Sequence, residues 1–248
     1  MLVMGGRGQT GYVLGQGRGG ASNGLLTGLV AYWPLSEASG NAIDAHSNGL
    51  TLTAQNAPGA DTGQVYASAR TFNGSNQYFS RASEAALQPG GVDFAIAAWV
   101  YLVSKVAPRP ILSKCNTAST ATWEYDLTYY NVTDRFWFRI SNGSALFTAT
   151  ANNYGSPPTG EFALICAWND SASKKIYISM DNGTPDEATY TGTIPTTTQP
   201  LLVGTLFTFW HSGRIGPVAM WKNRTLSAAD RTALWNGGAG LAYASFTA

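Results

Sequence analysis

Residues 93–102 read DFAIAAWVYL, a short apolar run preceded by a single aspartate. Short apolar or alternating runs predict β-strands where turn residues separate them, and this chain separates its runs with Asn-Gly, Ser-Gly, Pro and Asp clusters. Asn-Gly pairs at residues 142–143 and 182–183 are the strongest hairpin signals, because both residue types tolerate positive φ. More than ten such strands predict an antiparallel sandwich or jelly roll. The predicted strands cover residues 29–35, 49–54, 77–81, 93–102, 110–114, 122–130, 135–141, 161–168, 174–180, 200–204 and 213–221.

One helix is predicted near the end of the chain, in the stretch LSAADRTALWNGG at residues 226–238. Ser227 can cap this helix, Asp230 occupies the capping-box position three residues later, and Gly237 can terminate it. We therefore expect residues 28–248 to form one all-β domain with a single short C-terminal helix.

The composition limits the classes of partner. Of the 248 residues, 44% are hydrophobic and 12% are charged, about half the ~25% typical of soluble domains. The formal net charge of +1 gives no electrostatic argument for binding nucleic acid or an anionic membrane. No stretch approaches the ~20 apolar residues of a membrane span, and the N-terminus lacks the apolar core and basic leader of a signal peptide. We therefore expect neither nucleic acid nor membrane as a partner.

The two cysteines, Cys115 and Cys166, form neither a metal-binding spacing nor a disulfide framework. Cys166 alternates with apolar residues in EFALICAW and is expected to face a core. A bridge between the two cysteines stays open, but free thiols are favoured, which fits synthesis in a reducing cytoplasm.

Five stretches follow one another over most of residues 28–237. They are GLVAYWPLSEASGNAIDAHSNGLTLT (28–53), ARTFNGSNQYFS (69–80), DFAIAAWVYL (93–102), KKIYISMDNG (174–183) and GRIGPVAMWKNRTLSAADRTALWN (213–236). In this order they resemble the laminin-G-like, concanavalin-A-like lectin/glucanase sandwiches. The resemblance implies a two-sheet antiparallel jelly-roll sandwich. It says less about function, because that fold serves lectins, enzymes, adhesins and virion proteins alike.

The resemblance raises the question of glycan hydrolysis, since hydrolases of this fold carry clustered carboxylates on one strand. In TWEYDLTYY, Glu124 and Asp126 alternate to the same face of a strand. Their Cα atoms would lie about 6.5–7 Å apart, which is compatible with the roughly 5–5.5 Å carboxyl spacing of a retaining pair. The glucanase pattern needs a further glutamate on this face, where the chain has Thr128 and Tyr130. We therefore predict no enzymatic activity and no catalytic residues.

The resemblance also implies calcium, which many laminin-G-like domains hold through an early acidic residue and an acidic pair in the closing strand. The early position is Asp44, with Glu37 nearby, but the closing strand reads Gly216-Pro217. Calcium takes about six to eight oxygen ligands, several of them carboxylates. We therefore expect no tight metal site and no cofactor, and we expect Asp44 to be a turn residue that binds backbone.

Glycan binding without a metal ion remains open. Sugars stack on exposed aromatic rings while a few polar groups fix their orientation. The stretch LFTFWHSG offers Phe209, Trp210 and His211, and the end of a predicted strand offers Tyr129 and Tyr130. These five residues are candidates for contact with a glycan or a protein partner. Most other rings are expected in the core, including the strand residues Trp33, Trp99, Trp168 and Trp221.

Residues 1–27 form a glycine-rich arm, and ten of the first 28 residues are glycine. A segment of this composition buries little apolar area, so ordering it, at on the order of 1 kcal/mol per residue, requires an external surface. The candidate docking residues are Leu2, Val3, Gly5, Gly6, Arg7, Tyr12, Val13, Leu14, Arg18, Gly19 and Gly20.

An arm of this kind on a lectin-like sandwich without a secretion signal resembles a bacteriophage virion protein. We therefore expect a non-catalytic capsid decoration or cement protein, or a head or tail fibre, located in the virion. Its partners would be the major capsid protein or another virion protein, bound through the arm, and further copies of the chain in a homo-oligomer. The alternative is a carbohydrate-binding, lectin-type module, and a glycoside hydrolase is the least favoured candidate.

Overall fold

The computed structural model of the chain describes residues 23–115 and 119–248. These residues form seventeen β-strands, one α-helix and four short 3₁₀ helices. The strands are β1 (Leu29–Trp33), β2 (Thr53–Gln55), β3 (Gly59–Thr62), β4 (Ser68–Asn73), β5 (Tyr78–Arg81), β6 (Phe94–Leu102), β7 (Arg109–Lys114), β8 (Tyr125–Tyr130), β9 (Arg135–Ser141), β10 (Leu146–Thr150), β11 (Phe162–Asp170), β12 (Lys175–Met180), β13 (Asp186–Thr189), β14 (Leu201–Val203), β15 (Thr205–Leu206), β16 (Phe209–Trp210) and β17 (Ser212–Lys222). The helices are α1 (Ala228–Trp235) and the 3₁₀ segments Ala85–Leu87, Thr120–Thr122, Asn236–Gly238 and Tyr243–Ser245. Within the two described ranges, no helix is long and apolar enough to cross a membrane.

The strands pair into two large antiparallel sheets. One sheet has eight strands, in the order β13-β12-β11-β6-β17-β4-β3, with β1 also paired to β17. The other has seven strands, in the order β10-β9-β8-β7-β14-β5-β2, and β15 and β16 form a separate hairpin. The chain is therefore a two-sheet sandwich with one short helix, which confirms the predicted fold class.

The apolar stretch at residues 93–102 becomes β6, in the middle of the eight-stranded sheet. Its alternate side chains enter two different cores. Phe94 and Ile96 pack into the main core between the sheets. Ala95 and Trp99 pack into an outer core on the other face. A strand that is buried on both faces reads as a continuous apolar run, as this one does.

The outer core is closed by both ends of the described chain together with α1. Leu25 is fully buried there, and the Trp221 indole donates to the Leu25 carbonyl at 2.8 Å. Phe246 packs in the same cluster. Asn23 joins the two ends, because its backbone N–H donates to the Thr247 hydroxyl at 2.8 Å and its side-chain oxygen accepts from the Thr247 N–H at 2.9 Å. Residues 23–27 therefore contact the sandwich directly, whereas all eleven candidate docking residues of the arm lie outside the described residues.

The predicted burial of the strand tryptophans and the predicted free thiols are both confirmed. Cys115 and Cys166 are free and buried, and Cys166 lies in the outer core. Burial raises the pKa of the Cys166 thiol to about 12. The buried tryptophans are Trp33, Trp99, Trp168 and Trp221.

Helix α1 begins as the sequence predicts. The Ser227 hydroxyl accepts from the Asp230 N–H at 3.2 Å, and the Asp230 carboxylate accepts from the Ser227 N–H at 2.8 Å. The helix ends at Trp235, after which Asn236 takes the left-handed conformation with φ 47°. The residue that terminates the helix is therefore Asn236, one position before the predicted Gly237, which also has positive φ.

The predicted strand ranges include none of β3, β4, β10, β13, β15 and β16. Three of these strands, β3, β10 and β13, lie at sheet edges. Most of the side chains in β3 and β13 are exposed or half-buried, in the sequences GADT and DEAT. An edge strand with little buried surface needs no alternating apolar pattern, so neither sequence carries the usual strand signal.

Candidate functional site

A groove lies on the outer face of the seven-stranded sheet, over β5 and β14. In β5, Phe79 packs into the main core, so Tyr78 and Ser80 lie on the opposite, outer face. Leu202 of β14 pairs with Ser80 and shares that face. The groove has a volume of about 380 Å³. Its lining residues are Tyr78, Ser80, Arg81, Ala82, Pro200, Leu202, Thr205, Phe207 and Trp210.

The hairpin β15–β16 forms one wall of the groove. Thr205 pairs with Trp210 across the hairpin, and its hydroxyl donates to the Phe209 carbonyl at 3.0 Å. The turn places Phe207 at φ 54°. The Arg109 guanidinium donates to the Trp210 carbonyl at 3.2 Å. These bonds hold the backbone that presents the Trp210 indole to the groove, whereas Phe209, 38% exposed, is not among the lining residues.

His211 lies beneath this hairpin and is fully buried, so it presents no ring to a ligand. Its Nδ1 lies 3.2 Å from the Pro110 carbonyl oxygen and its Nε2 lies 3.4 Å from that of Tyr101. The ring packs edge-on against Phe72. Burial lowers the pKa of His211 to about 4, so the imidazole is neutral at neutral pH. The structure thus corrects the sequence-based interpretation of His211 from a surface contact to a core residue.

A row of aromatic rings and one guanidinium continues on the same outer face. Arg139 forms a bidentate pair with Asp126, with both nitrogen–oxygen distances at 2.9 Å. Its guanidinium lies 4.8 Å from the centre of the Trp123 ring and 5.4 Å from that of Trp137. Tyr130 packs against Trp137, with ring centres 3.9 Å apart and ring planes tilted by 30°. Trp123 is buried, so only the half-buried Tyr130, Trp137 and Arg139 contribute to the surface of this face, which is built on β8 and β9.

Tyr129 and Tyr130 point to opposite faces of β8, because adjacent residues alternate across a strand. Tyr129 is 1% exposed and packs against Phe136 in the main core. Its hydroxyl donates to the Asp134 carboxylate at 2.8 Å. Tyr129 is therefore a core residue rather than a surface contact, and only Tyr130 of this pair reaches the surface.

Glu124 and Asp126 each pair with a different cation. Glu124 accepts from Lys114 Nζ at 3.0 Å and from both the N–H and the hydroxyl of Thr197 at 2.8 Å. Burial raises the pKa of Glu124, although Lys114 opposes this shift. Asp126 is held by Arg139, and both carboxylates are fully buried. Neither carboxylate is open to a substrate in this arrangement, in which both act as structural ion-pair partners.

Asp44 organises a loop through backbone hydrogen bonds. Its Oδ1 accepts from the N–H groups of Tyr32 at 3.0 Å and His46 at 2.9 Å, and its Oδ2 accepts from that of Leu50 at 2.9 Å. Its role as a backbone-binding turn residue is therefore confirmed. Over residues 23–115 and 119–248, no group of three or more histidine, cysteine, aspartate or glutamate side chains could hold a metal ion.

The sequence interpretation placed Trp210 at the surface but did not connect it to Tyr78, Ser80 and Arg81. These three residues belong to the predicted strand QYFSR, in which Tyr78 and Ser80 alternate with buried Phe79. That alternation shows that Tyr78 and Ser80 face outward. Only the pairing of β5 with β14 brings them close to the hairpin.

A sequence profile described as the concanavalin A-like lectin/glucanases superfamily matches residues 72–230, more than half of the chain. The chain belongs to this superfamily. No curated protein sequence matches it.

Solved structures with a similar fold include binding domains and enzymes. The binding domain of Paraclostridial Mosquitocidal Protein 1 has a TM-score of 0.67 at 11% identity, covering 86% of this chain and 53% of that one. Domain 4 of AbnA, an extracellular arabinanase from Geobacillus stearothermophilus in complex with arabinotriose, has a TM-score of 0.57 at 12% identity, covering 82% and 96%. Trypanosoma rangeli sialidase has a TM-score of 0.62 at 13% identity, covering 86% and 34%. The chain spans about half the length of the mosquitocidal binding domain, and at these identities the likeness shows the fold alone.

Proposed function

We propose that the chain is a non-catalytic glycan-binding domain whose ligand occupies the groove beside Trp210. One observation carries this proposal: three aromatic side chains, Tyr78, Phe207 and Trp210, line a groove of about 380 Å³ together with polar Ser80 and Arg81. Aromatic rings that stack on a sugar, combined with a few polar groups that fix its orientation, are the elements of a carbohydrate site.

The charge of the groove favours an uncharged sugar. Arg81 forms an ion pair with Glu84, and it also donates to the Thr51 carbonyl at 2.8 Å. The guanidinium charge is therefore balanced within the protein. Ser80 and Thr205 add hydroxyl groups, which suit the hydroxyls of a neutral saccharide.

The ion pairs of the candidate catalytic carboxylates support binding more than hydrolysis. Domain 4 of the arabinanase shares the sandwich fold, and its structure contains arabinotriose. In this chain the carboxylates considered for catalysis, Glu124 and Asp126, are each committed to a buried ion pair. A hydrolase needs two carboxyl groups beside the scissile bond, one of them free to exchange a proton with the substrate.

A glycan array followed by titration calorimetry tests the proposal. The protein is expected to bind a neutral oligosaccharide and to leave it intact by mass spectrometry. Trp210→Ala should weaken binding at least about tenfold, since a stacked aromatic ring contributes roughly 1.5–3 kcal/mol when covered. Phe209→Ala is the matched control, because it removes an exposed ring of the same hairpin outside the groove. Equal affinity in Trp210→Ala and Phe209→Ala would contradict the proposed groove.

Attachment to a virion through the N-terminal arm is a second candidate, and one contact favours it. Asn23 is fixed to Thr247 beside the outer core, on the face of the sandwich opposite the groove. An arm that precedes Asn23 would start on that face and leave the groove free for display. The partner would be a capsid or other virion protein of a bacteriophage.

Deletion of residues 1–22 tests this second candidate without removing Leu25 from the outer core. The shortened protein should keep its melting temperature and its glycan affinity but fail to occupy particles that lack the native copy. Full occupancy by the shortened protein would exclude the arm as the attachment site. Trp210→Ala should lose glycan binding without any change in the occupancy of particles. The two candidate functions can therefore be refuted separately.

A further inference from the structure

Strand β7 lies beside the groove, paired with β14, and half of its six residues are polar although all six are buried. Its sequence is RPILSK. A strand that is buried on both faces is ordinarily a continuous apolar run, as β6 is. Burying the side chains of Arg109, Ser113 and Lys114 costs free energy unless each of them finds a partner. Burial lowers the pKa of both cations, Arg109 and Lys114, which reflects this cost.

Ser113 ties the hairpin β15–β16 to the sheet. It pairs with Leu202, a lining residue of β14, and its hydroxyl donates to the Thr205 carbonyl at 2.9 Å. Thr205 also lines the groove. The bond therefore joins the sheet beneath the groove to the hairpin that forms one of its walls. Ser113 is itself fully buried, so its side chain does not reach a ligand.

Lys114 joins the two chain segments at the end of the groove where β5 and β14 stop pairing. Its Nζ donates to the Ser83 hydroxyl at 2.9 Å and to the Gln199 carbonyl at 2.6 Å. Ser83 follows the lining residue Ala82, and Gln199 precedes the lining residue Pro200. One fully buried ammonium group therefore holds both of these segments.

Stability alone does not explain the polar side chains of β7. Replacing a buried ion pair by apolar residues of similar volume is often neutral or stabilising. An apolar residue cannot, however, donate to the carbonyl groups of Trp210, Thr205 and Gln199, which Arg109, Ser113 and Lys114 respectively do. Each of these three carbonyl groups belongs to a lining residue of the groove or to its neighbour in sequence.

We propose that Ser113 and Lys114 are positioning residues of the groove, which hold its lining segments in the ligand-binding arrangement without contacting the ligand. The role assigned to them rests on the proposed glycan binding and adds residues outside the groove that determine its affinity. A ligand binds only those molecules in which the site has the competent conformation. Loosening a lining segment therefore weakens the apparent affinity by the factor by which the competent fraction falls.

Titration calorimetry of matched serine variants tests the proposal. Ser113→Ala removes the bond to Thr205 and should weaken oligosaccharide binding by roughly twofold to tenfold, the change in equilibrium that one hydrogen bond is worth. Ser179→Ala is the control, because Ser179 is also buried and donates to the Gly183 carbonyl at 2.8 Å, outside the groove. Both variants should lose a similar amount of thermal stability, and only Ser113→Ala should lose affinity. Equal affinities in the two variants would overturn the proposal.

The double variant Lys114→Met, Glu124→Gln separates positioning from stability. It removes the buried ammonium together with its counter-charge, so it should keep most of the wild-type stability. Its oligosaccharide affinity should nevertheless fall at least about tenfold, because hydrogen bonds from a charged group are stronger than neutral ones. Wild-type affinity in the double variant would overturn the role of Lys114.

Hydrogen exchange resolved by peptide gives a second readout, which needs no saccharide. The amides of residues 199–210 should exchange faster in Ser113→Ala and in the double variant than in the wild type, and at the wild-type rate in Ser179→Ala. Unchanged exchange over these residues in the first two variants would overturn the proposal. If the wild type binds no saccharide, the proposed glycan function is refuted, and the exchange rates still decide whether Ser113 and Lys114 hold the groove in place.

Discussion

The buried ion pair between Lys114 and Glu124 makes the strongest prediction about stability. Both side chains are fully buried. Glu124→Gln keeps the acceptor for Thr197, which bonds Glu124 Oε1 at 2.8 Å, but it leaves the Lys114 ammonium without a counter-charge. Removing one partner of a buried pair costs about 3–5 kcal/mol. In a domain of this size that loss lowers the melting temperature by roughly 6–20 °C.

The pH dependence of the variant has a defined sign. Burial lowers the pKa of Lys114, and Glu124 partly opposes that shift. Without Glu124 the folded-state pKa of Lys114 falls further, so the unfolded state binds the lysine proton more tightly. The stability of Glu124→Gln should therefore rise with pH between this folded-state pKa and the unfolded value of about 10.4. Its deficit relative to wild type should shrink only up to the folded-state pKa of Lys114 in the wild type, above which both proteins gain stability with the same slope.

Urea unfolding of matched variants checks this reasoning. Lys114→Met combined with Glu124→Gln should recover most of the lost stability, because the unpaired buried charge is gone. Glu187→Gln removes a carboxylate from the exposed pair with Lys175 and should leave the urea midpoint close to that of the wild type. A loss below about 1 kcal/mol in Glu124→Gln, or no recovery in the double variant, would refute the account of this pair.

The remaining predictions concern the reactivity of the two thiols, the cap of helix α1 and the backbone at Gly213. Cys115 and Cys166 should react with an aromatic disulfide reagent only as fast as the protein unfolds, since burial raises the pKa of both thiols; rapid labelling of the native protein would contradict this. Ser227→Ala should cost about 1 kcal/mol in urea unfolding through loss of the helix cap, and no loss would mean that the cap contributes nothing. Gly213→Ala should prevent folding or strongly lower the melting temperature, because a Cβ there would lie 2.0 Å from the Tyr101 carbonyl oxygen; a wild-type melting curve would show that this backbone can move.

The sequence predicted the parts of the fold that depend on local pattern. The continuous apolar run of β6 and the capping box at Ser227 both appear where the pattern predicts them. Edge strands β3 and β13 were not predicted, because they bury little surface and their sequences therefore lack an alternating apolar pattern. Their pairing is determined by neighbouring strands rather than by their own residues.

The candidate site was predictable only in part, because it depends on contacts between distant segments. Trp210 was identified from its own neighbourhood, but the groove also needs Tyr78, which lies more than a hundred residues earlier. Burial of His211 depends on carbonyl groups of Tyr101 and Pro110, which flank it in space and not in sequence. Whether an aromatic ring is exposed depends on which strands pair around it, so the sequence of one segment cannot predict it.

The proposed function requires that a saccharide occupies the groove against the Trp210 indole. A crystal structure of the chain with the tightest oligosaccharide from the glycan array tests it most directly. We expect a sugar ring stacked on Trp210 or Tyr78, hydrogen-bonded to the side chains of Ser80 or Thr205, with the glycosidic bonds intact. A saccharide bound elsewhere on the sandwich with the groove empty, or cleaved sugar in the crystal, would contradict it.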